Sequence, residues 1–389
     1  MLNFSFQNTT QIHFGEGQIK SLSKQIPKDA KVLITYGGGS IKQNGVYDQV
    51  IAALSEHTWF EFSGIEPNPS YDTLMKAQGV IKENNVDFIL AVGGGSVVDG
   101  SKFIAAAALF EGADENADPW DIVSKQARIE QALPLACVLT LPATGSESNT
   151  GAVVTRDGHK LPFSSPLVRP LFAILDPAVT LSLSDRQISN GVVDAFVHTM
   201  EQYLTYSVNG KVQDRFAEGL LLTLIEEGPK ALAKETATDL EVRGNIMWAA
   251  TMALNGLIGA GVPQDWSTHM IGHELTGAHG IDHARTLSIV LPAVMKVCRD
   301  AKREKLLQYA ERIWNVTEGD EDARINRAIE LTEQFFEMMQ VPTRLSQVDL
   351  GVADIDGLIE KLTQHGMIKL GEHRAITPEV SREILTAAL

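Results

Sequence analysis

The chain is poor in positive charge, in cysteine and in long apolar runs, and each shortage excludes something. Against 49 Asp and Glu its 389 residues carry only 33 Lys and Arg, a formal charge of −16. A nucleic-acid partner is therefore not expected, since binding a phosphate backbone begins with a basic surface. No apolar run approaches the roughly 18 residues of a membrane span. The start, MLNFSFQNTT, lacks the basic and apolar blocks of a signal peptide. A cytoplasmic protein that does not enter membranes is expected. The two cysteines, Cys137 and Cys298, lie in apolar segments far apart and form no CxxC. In that compartment they are expected to be reduced and structural rather than joined in a disulfide.

Histidine is also scarce, ten in all, yet four of the ten fall within fifteen residues, at 269, 273, 279 and 283. Any one histidine is usually a satisfied core or surface residue, but such crowding in a histidine-poor chain points to ligation. A second stretch, NGVVDAFVHTMEQY, places Asp194 and His198 four apart. On a helix that spacing sets a carboxylate and an imidazole side by side, half of a metal site. The clustered histidines can supply the other half, and the combined donor set suits zinc or iron(II). Hydrolysis of the zincin type needs His-Glu-x-x-His. His273-Glu274 begins that pattern, but position 277 is glycine.

The total length admits two domains. Forty-four per cent hydrophobic and 21 per cent charged residues are ordinary for a soluble globular protein. Up to Asp176-Pro177 the chain alternates apolar runs with helical patterns, as a parallel α/β sheet requires. The strand-like runs are KVLITY (31–36), TWFEF (58–62), DFILAV (87–92), ACVLTL (136–141) and LFAILD (171–176). Helical patterns start near Ile41, cover 71–85 and follow the third run. From about 184 only helical periodicity remains. A boundary near 180 follows, giving an α/β domain over 1–180 and an all-helical domain over 181–389. The cleft between them is the expected site.

The sequence GGGS occurs twice, each time after a strand-like run and before a helical one. Bare backbone N–H groups at a helix start stabilise an anionic phosphate. The second copy, Gly93 to Ser96, is the stronger candidate, with Ser96 read as the helix cap and Asp99 in the first turn. It matches neither a Walker A loop nor G-x-G-x-x-G. In the first copy, Gly37 to Ser40, no acid is present to bond a ribose 2′-hydroxyl or repel a 2′-phosphate. If that loop faces the adenosine ribose, Ser40 and the N–H groups of Gly37, Gly38 and Gly39 can accept the phosphate, and NADP is the expected dinucleotide. Ser146, in LTLPATGSESN, has neither G-x-S-x-G around it nor an identifiable base beside it, so nucleophilic catalysis is set aside.

Together the segments VLITYGGGS, EPNP, AVGGGSVVDGSKFIAAAA, LTLPATGSESN, NGVVDAFVHTMEQY and LNGLIGAGVPQDWSTHMIGHELT resemble the iron-containing alcohol dehydrogenase family. The match runs from Phe14-Gly15-Glu16-Gly17 to the C-terminal helices. The resemblance implies a dinucleotide-binding α/β domain with a parallel sheet followed by an all-α metal-binding domain, the two-domain plan shared with dehydroquinate synthase. It selects Asp194, His198, His269 and His283 as ligands of one divalent ion. It also sets the pyrophosphate on Gly94, Gly95 and Ser96 with Asp99 nearby, and Thr140, Thr144, Asn149 and Lys160 along the nicotinamide ribose and its phosphate. Gly38 stands where NAD-preferring relatives have aspartate. A homodimer is implied by the resemblance alone.

The expected activity is hydride transfer between NADPH and short to medium aldehydes, with His273, one turn from His269, as a candidate proton relay or as support for a ligand. A lyase of the dehydroquinate synthase type, using its nicotinamide transiently, is the competing reading. It would need several basic side chains for an anionic substrate. Around the ligands stand Trp266, Met270, Ile271 and Leu275, with Arg285 the exception. That setting suits a neutral carbonyl, and few polar anchors imply a broad aldehyde range.

Overall fold

The computed structural model describes residues 1–112 and 117–389, which fall into two compact units. One is Gln7–Leu183, and the other joins Met1–Phe6 to Ser184–Leu389. In the latter the N–H of Leu2 donates to the Gly261 carbonyl at 2.9 Å, so the first residues pack with the helices. Among the described residues, no helix is long and apolar enough to cross a membrane.

The α/β unit carries a six-stranded sheet, every pairing parallel, in the order β1-β8-β5-β4-β2-β3. Its strands are β1 (Gln11–Phe14), β2 (Lys31–Thr35), β3 (Thr58–Phe62), β4 (Phe88–Gly94), β5 (Leu135–Leu141) and β8 (Phe172–Leu175). The central strands are continuous apolar runs because helices cover both faces of a parallel sheet. Leu90, Val92, Ala136, Val138 and Ile174 are all fully buried. The five runs read from the sequence are all strands. Two features escaped that reading. Edge strand β1 is short and only half-buried, and β6 (Gly151–Arg156) and β7 (His159–Ser164) form a separate antiparallel hairpin. Asp157 and Gly158, both at positive φ, make its turn. That Asp-Gly pair is a hairpin signal present in the sequence.

The helices of this unit are α1 (Leu22–Gln25), α2 (Val46–Ala53), α3 (Tyr71–Asn84), α4 (Gly95–Ala107) and α5 (Asp121–Ser124). Chain order runs from β2 outward to β3, then crosses back to β4 and onward to β5. The reversal lies between β2 and β4, and the two GGGS segments leave those strands at the same sheet edge. That is the switch point at which parallel sheets bind ligands. The first GGGS leads into a 3-10 turn, Ser40–Lys42, before α2 begins at Val46.

The helical unit contains α6 (Asp185–Tyr203), α7 (Lys211–Leu232), α8 (Leu240–Ala253), α9 (Ser267–His279), α10 (His283–Val297), α11 (Arg303–Arg312), α12 (Glu321–Met338), α13 (Val352–Gln364) and α14 (Pro378–Ala387). Ser184 and Gln187 start α6 with a reciprocal capping box. Beyond its first turns α6 is buried nearly all round, packed against α7, α8 and α10. Phe196 anchors it, 5.1 Å from the Phe335 ring and 5.6 Å from Phe336. Burying such a ring contributes roughly 1.5–3 kcal/mol. Helices α9 and α10 touch closely at Gly272, where a methyl group would fall 2.8 Å from Thr286 Oγ1. Close approach there brings the histidines of both helices onto α6.

Candidate active site: a metal centre and a nucleotide cradle

Asp194, His198 and Glu201 lie on one face of α6, at helical spacings of four and three. His269 and His273 stand on the facing side of α9, and His283 begins α10. Asp194 Oδ1 lies 3.8 Å from His198 Nδ1, from His269 Nε2 and from His283 Nε2. That distance is too long for a hydrogen bond, yet it is the spacing of two donors bound about 2 Å from a common ion. One donor atom each from Asp194, His198 and His269 fall within 4.8 Å of one another. An acid and three imidazoles gathered in this way fit a divalent cation of the zinc or iron(II) class. His283 joins through Asp194 and is the most accessible of the four, its side chain 22 % exposed.

Glu201, which the sequence reading passed over, completes this arrangement. Its Oε2 meets His269 Nδ1 in a short contact, while Oε1 accepts the backbone N–H of Thr268 at 2.6 Å. A hydrogen on Nδ1 facing the carboxylate leaves the Nε2 lone pair directed at Asp194, the tautomer a metal requires. With no ion bound, burial disfavours the charged His269 ring, but the Glu201 and Asp194 carboxylates outweigh it and raise the pKa to about 9, so an ion binding at Nε2 has to displace a proton there. Only the i, i+3 relation of His198 to Glu201 hinted at this partner. That spacing acquires meaning only because the start of α9 meets Glu201.

The other two clustered histidines divide. His273 is buried, its ring 5.0 Å from His283 and 6.3 Å from His269, at the edge of the site. His279 is exposed at the end of α9. Asp282, just before His283, accepts from Arg186 Nε at 2.7 Å and Asn190 Nδ2 at 2.8 Å, tying the start of α10 to α6.

In the α/β unit the second GGGS turns tightly from β4 into α4. A methyl on Gly93 would fall 2.5 Å from Val97 Cγ2, and one on Gly95 would fall 2.5 Å from the Thr144 side chain. Only glycine lets this backbone pass so close. The cap expected at Ser96 is instead Gly94, without a side-chain bond, and Ser96 lies inside α4, its hydroxyl accepting from the Asn68 N–H at 3.4 Å. Asp99 stands in the second turn, not the first, because α4 already begins at Gly95. Gly38 and Ser40 are exposed beyond β2, and Gly39 takes φ 93.

Beneath the glycines sits a buried charge cluster. Asp99 accepts from Ser146 Oγ at 2.6 Å and from the Val153 N–H at 3.0 Å. Lys102, fully buried, donates to Ser146 Oγ at 2.9 Å, Asn149 Oδ1 at 3.0 Å and the Gly151 carbonyl at 2.7 Å. Burial lowers the Lys102 pKa to about 8 against the opposing pull of Asp99. Burial likewise pushes the Asp99 carboxyl above its ordinary value. The pair binds the segment from Ser146 to Val153 onto α4. Thr144 Oγ1 accepts the Ser146 N–H at 3.2 Å, and Lys160 lies on β7 opposite Thr155. Lys102 was also missed, since a lysine in an Ala-rich helix reads as solvated.

The iron-containing alcohol dehydrogenase family model matches residues 9–177, and the family's C-terminal model matches 188–389. The NADPH-dependent aldehyde reductase YqhD of Escherichia coli is 60% identical over 391 residues, with all of both chains covered. The NADP-dependent alcohol dehydrogenase 3 of Entamoeba histolytica is 40% identical across 93% of each chain. The crystal structure of E. coli YqhD superposes with a TM-score of 0.97 at 59% identity, covering 100% of this chain and 99% of that one. An NADH-dependent butanol dehydrogenase A from Thermotoga maritima gives 0.94 at 36%, with the same coverage. The chain belongs to the iron-containing alcohol dehydrogenase family.

Proposed function

We propose that this protein is an NADPH-dependent, metal-dependent aldehyde reductase, moving hydride between NADPH and a broad range of short to medium aldehydes and their alcohols. The observation that carries the reading is the convergence of three imidazole nitrogens at 3.8 Å on Asp194 Oδ1, in a chain 60% identical to an aldehyde reductase. Asp194, His198, His269 and His283 would hold the ion, zinc or iron(II). Bound there, it would supply Lewis-acid polarisation of a carbonyl oxygen, and NADPH would supply the hydride.

The chain's own residues do the rest. Gly94, Gly95 and Ser96 hold the pyrophosphate on the α4 N-terminus, with Asp99 and Lys102 fixing the loop beneath it. Thr140, Thr144, Asn149 and Lys160 line the nicotinamide ribose and its phosphate. Gly37, Gly38, Gly39 and Ser40 take the adenosine 2′-phosphate, with no carboxylate among them to repel it. His273, at the edge of the ligand set, would either relay the proton that the reduced oxygen requires or hold a ligand in place. Residues 1–180 form the NADP-binding part, apart from Met1–Phe6, which pack with the helices, and 181–389 the catalytic part of a cytoplasmic homodimer, the dimer being supported by family membership alone.

The test is NADPH oxidation with butanal at 340 nm on one preparation before chelation, after it, and after zinc or iron(II) is restored. Activity lost and regained with metal is expected. Activity indifferent to proven metal removal would overturn the reading.

A further inference from the structure

A second buried charge cluster lies outside the ligand set. Lys302, just before α11, has a side chain only 3 % exposed. Its Nζ donates to Asp265 Oδ2 at 2.6 Å, to both Glu372 carboxylate oxygens at 2.9 Å and to the Leu204 carbonyl at 2.7 Å. An ammonium has three hydrogens, so this group is fully committed. Burial would lower its pKa, but the two carboxylates outweigh that and raise it. Taking three charges out of water is costly, and good geometry at best offsets the cost. Stability alone is therefore a weak reason for such a cluster.

Asp265 shows what the cluster holds. Its Oδ1 accepts the Ser267 N–H at 2.9 Å, and its own N–H donates to the Glu201 carbonyl at 2.9 Å. Between these bonds stands Trp266 at φ 64, a left-handed conformation that a bulky side chain rarely adopts. Such strain persists only where the surroundings over-determine it. The turn opens α9, and His269 follows within its first turn. Asp265 and His269 thus both register on Glu201, one through the backbone carbonyl and one through the carboxylate. The Trp266 ring is 5.3 Å from His269 and 6.1 Å from His198.

We propose that Lys302 is a positioning residue of the metal centre: by gripping Asp265 it fixes the left-handed entry to α9, and with it the place of His269 beside Asp194. Glu372 serves to neutralise and bury Lys302 and has no bond to α9 in this scheme. The inference rests on the ligand reading above.

The experiment is zinc affinity of the full-length protein, measured by competition with a chromophoric chelator, alongside the denaturant midpoint of each metal-free variant. Lys302→Met and Asp265→Asn are expected to weaken zinc about tenfold, the low end of the range for direct partners of metal ligands, since both act on His269 through the backbone. Glu372→Gln is expected to change affinity less than about twofold while lowering the denaturant midpoint. Asp265→Asn keeps the acceptor for Ser267 and carries the test if Lys302→Met does not fold. Unchanged zinc affinity in Asp265→Asn, or a loss in Glu372→Gln equal to that in Asp265→Asn, overturns the inference alone. A wild type that binds no divalent ion overturns the ligand reading together with it.

Discussion

The Glu201 carboxylate grips His269 twice over, meeting Nδ1 of its ring with one oxygen and, with the other, accepting the N–H of the preceding residue, Thr268. A ligand held through both ring and backbone cannot rotate away from Asp194. Glu201→Ala is therefore expected to weaken metal retention about 10–100-fold, as removal of an outer carboxylate partner does. Chelator competition reads it, and affinity equal to wild type would remove Glu201 from the site.

His269 and His279 are alike in sequence and opposite in setting, one buried against Asp194 and one exposed. His269→Ala should abolish bound metal and turnover together. His279→Ala should leave both unchanged and alter stability by less than about 0.5 kcal/mol. Metal content by elemental analysis with butanal turnover distinguishes them.

Gly38 is exposed, and a methyl added there would meet nothing within 4 Å. Gly38→Asp thus introduces charge without steric conflict. Repulsion of a 2′-phosphate should raise the KM for NADPH much more than that for NADH. An unchanged ratio would detach this loop from the adenosine ribose.

At Gly95 the constraint is space. Its methyl would lie 2.5 Å from Thr144. Gly95→Ala is expected to destabilise the α/β unit by about 1–3 kcal/mol through overpacking. It should also weaken NADPH binding, because Thr144 must shift. Urea denaturation and cofactor fluorescence titration follow the two effects separately.

Lys102 supplies a pH dependence. Its pKa falls from 10.5 unfolded to about 8 folded, so between these values the unfolded chain binds more protons and stability rises with pH. The stability contribution is present above 10.5 and is lost as pH falls through 8. Relative to Lys102→Met, wild type should therefore gain stability from pH 8 to pH 10.5, by at most about 3.4 kcal/mol at 1.36 kcal/mol per unit. Parallel denaturation curves would show that Lys102 is not titrating there.

Much of this protein is legible in its sequence, because local periodicity carries it. Five apolar runs had the length and composition of buried parallel strands, and all five are strands. The i, i+4 pair Asp194 and His198 needed only a helix to share a face. The hairpin around Asp157-Gly158 had its turn signal, but its half-buried strands lack a clean alternation.

What the sequence determined by itself was therefore the kind of fold, the donor types and the glycine loops, since each depends on neighbours within a few residues. Tertiary structure decided the remainder. Local spacing leaves the clustered histidines undivided; the family resemblance picks out His269 and His283, and the packing of α9 and α10 on α6 sets both beside Asp194, leaves His279 exposed and brings Glu201 to an imidazole 68 positions away. The same holds for Lys102 and Lys302, whose sequence neighbours do not reveal that carboxylates from distant segments wait in the core. Ligand identity is a matter of which lone pairs converge, and convergence across 75 or more residues, as between Asp194 and His269, is a property of packing, which local sequence patterns do not encode.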